Sequence, residues 1–145
     1  MVRSMGLSGF IRTTGNTPRD RAVFIAALIM GIVIWIASPL VTGTAEPWDA
    51  ESPFYFVSLL GAGAVAGALG SPNKWWRWPV AIYLGQALWG AAIFIRDLLG
   101  FGSAGMNFFF PLGLIALLFS LLPSGIGAAC GQLVTLVITF FARRR

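Results

Sequence analysis

Histidine is missing from this sequence, and cysteine occurs once, at Cys130. The first absence removes the commonest general base and the commonest metal ligand, and with them any Ser-His-Asp triad. A single cysteine allows neither an intramolecular disulfide nor a CxxC redox or zinc centre. Charge is scarce as well. Asp, Glu, Lys and Arg make up 10% of the 145 residues, where soluble proteins carry about 25%. Hydrophobic residues make up 57%, and the mean hydropathy is +0.82. A water-soluble fold of this size would lack the polar surface to cover itself, so the sequence points to lipid as its solvent.

The few charges are placed in blocks. Arg3, Arg12, Arg19 and Arg21 precede the first apolar run, Lys74 and Arg77 lie mid-chain, and Arg143, Arg144 and Arg145 close the sequence. Only Arg96 stands apart. Short flanking clusters are not the basic stripe of a nucleic-acid binder, despite the net charge of +5. The carboxylates are Asp20, Glu46, Asp49, Glu51 and Asp97, all in loops or near the ends of apolar runs. No ionisable group falls in the core of a span, which argues against proton-coupled transport through a mid-membrane carboxylate. Glu46, Asp49 and Glu51 match no known calcium-loop spacing and read as a solvated loop. The expectation is a chain with no catalytic residues, no metal and no cofactor, and hence not an enzyme.

The apolar runs predict an all-α, polytopic bundle of about four transmembrane helices, at about 20 residues per crossing. An N-terminal arm covers 1–21, a membrane domain 22–142 and a basic tail 143–145. Within the domain the spans are 22–41, 54–70, 80–95 and 108–142. The first is longer than the 7–15 or so residues of a signal-peptide core, so it reads as a retained helix. The second carries Gly63 and Gly67 in a GxxxG pair, with Ala62 and Ala66 at the same spacing. Small residues let helix backbones approach in lipid, where no hydrophobic drive operates between helices. Gly127 and Gly131 supply the same device in the last span, and Cys130 beside them reads as a buried packing residue. Trp75, Trp76 and Trp78, interleaved with Lys74 and Arg77, read as an interfacial anchor able to meet anionic headgroups.

The last run, 108–142, holds no charge and would be about 50 Å long as one helix, well beyond a bilayer core. Pro123 and Gly125 predict a kink or break near its middle. A kinked helix, a re-entrant piece before a span, and two separate spans are all consistent with the run. Orientation arbitrates: four spans put the N-terminus, the 71–79 loop and the Arg tail in the cytoplasm, leaving Arg96 as the only basic residue outside. Five spans would strand the Arg tail on the far side. A weak echo at an offset of 62 links Ser58-Leu59-Leu60 with Ser120-Leu121-Leu122, the pattern expected of parallel repeats.

Gln86 and Gln132 are the most polar side chains inside the spans, and each is a candidate for interhelical bonding or for lining a pore. Ser58, Ser120, Thr135 and Thr139 can bond back to their own helices. These features favour a structural, accessory or assembly component of a cell membrane, in character a prokaryotic inner membrane. It would act by packing against itself or another membrane protein. The alternative is a small oligomeric channel or transporter for an ion or neutral solute.

Overall fold

The computed structural model describes residues 17–43, 53–101, 115 and 117–144. The N-terminal arm up to residue 16, the acidic loop with Glu46, Asp49 and Glu51, the stretch 102–114 and Arg145 lie outside the described residues. The described chain is all helical: α1 (Pro18–Thr42), α2 (Phe54–Leu69), α3 (Arg77–Leu98) and α4 (Leu121–Ala142), with a 3-10 turn at Pro72–Lys74. By length and composition α1, α3 and α4 can each cross a membrane, whereas α2 is a shorter apolar helix of 16 residues.

Local chemistry sets the ends. Thr17 caps α1 by accepting the Asp20 N–H at 3.1 Å, and Pro18 sits where its missing N–H costs nothing. Gly43 ends α1 in the left-handed region at φ 74°, and its N–H bonds to the Pro39 carbonyl. Residues 115, 117 and 118 are helical, and a turn at 119–120 separates them from α4. The interruption therefore precedes Pro123. That proline occupies the first turn of α4, where helix N–H groups have no intrahelical partner and none is lost. Gly125 lies in the same end of the helix, and a Cβ there would come within 4.0 Å of the Pro79 ring of α3.

The helices pack as two interleaved pairs, the most extensive contacts being α2 on α4 and α1 on α3. Partners within each pair run parallel. Gly63, Gly67 and Ser71 advance along α4 past Ser124, Ala128 and Gln132, while Asp20, Phe24 and Leu28 advance past Lys74, Arg77 and Gly85. Consecutive helices are antiparallel: Asp20 at the start of α1 bonds to Ser71 just past the end of α2, and Val23, Ala27, Val65 and Ala66 line a crevice between the two helices. The core where all four meet holds Ile34, Tyr55, Leu59, Ala62, Ala66, Ile82 and Ala128.

Candidate functional site

The α2–α4 seam is built on backbone contact. A Cβ at Gly63 would meet the carbonyl of Ser124, three residues before Gly127, and one at Gly127 would meet the carbonyl of Leu60, three residues before Gly63. Gly67 and Gly131 repeat the exchange with Ala128 and Ala64. The α1–α3 crossing obeys the same rule, Gly31 meeting Ile82 and Gly85 meeting Leu28. Both pairs thus have local two-fold symmetry. The glycine equivalence in the α2–α4 pair is at an offset of 64, two residues from the echo seen in the sequence. Ala62 and Ala66 are buried on the same side of α2. The small-residue faces are consumed within the chain, so they are not surfaces offered to another molecule.

Asp20 ties one end of the bundle together. It lies ahead of the uncharged run that starts at Ala22, yet it is only 3% exposed. One carboxylate oxygen accepts from the Ser71 hydroxyl at 2.7 Å and the Ser71 N–H at 3.2 Å; the other pairs with Lys74 Nζ at 3.2 Å. Burial pushes this carboxyl up, but the bonds from Ser71, Lys74 and Thr17 outweigh it and hold it at about 2. Gln132 Nε2 donates to the Ser71 carbonyl at 3.2 Å, and the Thr135 hydroxyl donates to Ala68 at 3.3 Å. Four elements are therefore joined around Ser71. Neither Asp20 nor Ser71 stood out as a candidate; Thr17-Pro18-Arg19-Asp20, a capping sequence, was the available signal for the first.

Gln86 and Gln132 bond to different partners. Gln86 is fully buried, and its Oε1 accepts from the Tyr55 hydroxyl at 3.3 Å. Its Nε2 has no partner among the described residues, nor do the hydroxyls of Ser38 and Ser120. Ser120 thus departs from the back-bonding expected of it, which Ser124, Thr135 and Thr139 do show.

The tryptophan-rich loop divides. Trp75 and Trp76 are 46% and 57% exposed, while Trp78 is fully buried with its indole against Gly70. Trp78 is therefore a core residue: α3 begins at Arg77 and turns the next side chain inward. Both cations of the loop have partners, Lys74 on Asp20 and Arg77 above the Phe24 ring at 5.7 Å. Cys130 is exposed, a correction to its reading as a buried packing residue. Its neighbours Gly127, Ala128 and Gly131 form the buried stripe of α4, and Cys130 falls outside that stripe.

No group of three or more Cys, Asp or Glu side chains comes together to hold a metal among the described residues. No family model matches the chain, and no curated protein or solved structure matches it.

Proposed function

We propose that this chain crosses a prokaryotic inner membrane four times, with both ends in the cytoplasm, and works without catalysis by associating laterally through α4. One observation carries this reading. Gln132 and Thr135 bond to Ser71 and Ala68 at the end of α2, so the last seven residues of α4, Leu136–Ala142, run past the end of that helix. Every Leu, Val, Ile and Phe between Leu133 and Phe141 keeps more than half of its surface exposed.

Asp20, Lys74 and the exposed Trp75 and Trp76 mark the charged and interfacial level. Seven further residues carry α4 about 10 Å past it. An apolar helix end at that height needs a cover other than water, and a second copy of α4 or a helix of another membrane protein supplies one. The test is oxidative crosslinking of Ile138→Cys in a Cys130→Ala background, in native membranes. A crosslinked adduct, at twice the 15.5 kDa chain mass for a self-pair, is expected. A monomer under all oxidising conditions would remove the reading.

The buried polar atoms at Ser38, Gln86 and Ser120 favour a second reading, an oligomeric channel or transporter for a small neutral solute or an ion. Liposome flux that falls in Gln86→Leu would support it, and no flux for a panel of ions and small solutes would count against it.

A further inference from the structure

Between α1 and α2 the bundle leaves an apolar crevice of about 240 Å³. Its floor is the buried Val23, Ala27 and Ala66, and its rims are the exposed Ala22, Ala26, Val65 and Leu69. The glycines explain why it stays open. Gly31 meets α3, and Gly63 and Gly67 meet α4, so the close backbone contacts are spent on the other two seams. Ala22, Ala26 and Ala27 then present side chains too short to fill the space between α1 and α2. The crevice runs from Ala22 and Leu69, at the Asp20 end of the bundle, to Met30 and Val65, about 12 Å along α1.

Arg19 stands at the mouth of this crevice. It precedes Ala22 and Val23 by one helical turn, on the helix face that carries Ala26 and Met30. It also lines a small hollow with Gly70, Ser71 and Gln132, which sets it just past Leu69. Arg19 makes no hydrogen bond or ion pair among the described residues. Asp20, the one described carboxylate at this end, is already taken by Ser71 and Lys74. The uncompensated charge here is therefore positive. A hydrocarbon slot with a cation at its interfacial mouth suits a phospholipid: the chain fills the slot and the guanidinium meets the phosphate. Arginine binds phosphate through two parallel N–H donors, and its long stem keeps the charged head at the interface. A zwitterionic headgroup brings its own cation to that phosphate, so a net anionic headgroup gains more from Arg19.

We propose that the α1–α2 crevice binds one acyl chain of an anionic phospholipid whose phosphate is held by Arg19. The site is independent of lateral association through α4, since no residue of Leu136–Ala142 takes part. It is equally independent of which leaflet the Asp20 end faces.

Native mass spectrometry of the full-length chain in detergent tests this, with equimolar palmitoyl-oleoyl phosphatidylglycerol and palmitoyl-oleoyl phosphatidylcholine as competing probes. One bound phosphatidylglycerol is expected, favoured over phosphatidylcholine by about fivefold, as one arginine near an anionic headgroup should give. Equal occupancy by the two lipids would overturn the proposal. Arg19→Gln should abolish the preference, whereas Arg143→Gln, the same loss of charge away from the crevice, should keep it. A preference that survives Arg19→Gln, or falls as far in Arg143→Gln, would overturn the role of Arg19. Ala26→Phe places a ring in the crevice from an exposed rim and should lower occupancy by both lipids at least about twofold. Unchanged occupancy in Ala26→Phe would overturn the crevice as the place where the chain lies.

Discussion

Gly61 and Gly63 stand two residues apart in α2, and the same substitution at each should have opposite effects. A Cβ at Gly61 meets nothing within 4 Å. Gly61→Ala should therefore gain the helix preference of alanine, about 1 kcal/mol. A Cβ at Gly63 would run into the Ser124 carbonyl and stand 2.8 Å from its carbon, where ordinary side-chain contact starts at 3.4 Å. The obstacle is helix backbone, so it yields only if α2 and α4 part. A gap of 0.5–1 Å forfeits roughly a quarter to a half of each contact along the seam. Overpacking of this kind costs about 1–3 kcal/mol, and the seam would be loosened at Gly67, Gly127 and Gly131 as well. The helix gain is common to both variants and cancels, so the two should differ by about 1–3 kcal/mol, or roughly 3–12 °C in Tm for a chain this size. Thermal unfolding in detergent, followed by the fluorescence of the buried Trp35 and Trp78, reads the difference. Gly127→Ala should reproduce the Gly63 result from the other side of the seam. A Gly63→Ala protein that melts at or above Gly61→Ala would refute the backbone-contact account of this pair.

Asp20 gives a pH signature. Its carboxyl is held at about 2, below the ordinary 3.8, so the folded state favours the ionised form. That contribution is complete above about pH 4 and is lost as the pH falls through about 2, amounting to roughly 2 kcal/mol. Asp20→Asn should lower stability at neutral pH and flatten the fall in Tm between pH 4 and 2; an unchanged acid limb in the variant would exclude the Ser71 and Lys74 bonds as its cause. Gln132→Leu removes the hydrogen bond that its Nε2 donates to the Ser71 carbonyl and should cost about 1 kcal/mol, measured by the same melt. Gly70→Ala would drive a Cβ into the Trp78 indole and should destabilise by about 1–3 kcal/mol, with a red-shifted tryptophan emission if Trp78 is displaced.

Hydropathy made the helices legible because lipid imposes one rule on every span: each backbone polar group must pair within its own helix. The described helices overlap the four apolar runs, and their ends were shifted by chemistry the runs do not contain, such as the Thr17 cap and the turn at 119–120. GxxxG spacing identified which faces are small, but it did not say whether the partner was another chain or another helix of this one. That choice depends on the parallel register of α2 and α4, set by tertiary packing. Helical phase misled in two places. Cys130 sits among small buried residues in sequence but outside their stripe in space, and Trp78 shares the composition of its exposed neighbours but falls on the inward face of α3. Asp20 was invisible as a tie because its partners Ser71 and Lys74 are 51 and 54 residues away. The partner of Gln86 was invisible for the same reason: Tyr55 is 31 residues away, and no local pattern links them.

The proposed topology has four crossings, with the Ser71–Trp76 turn and the Arg tail on the same side of the membrane. Single cysteines at Trp76, Leu99 and Arg144 in a Cys130→Ala background, probed with a membrane-impermeant maleimide, decide it. Leu99→Cys should react in intact cells, while Trp76→Cys and Arg144→Cys should react only after the membrane is opened. Reaction of Leu99→Cys and Arg144→Cys from one side would contradict the topology and the role given to α4.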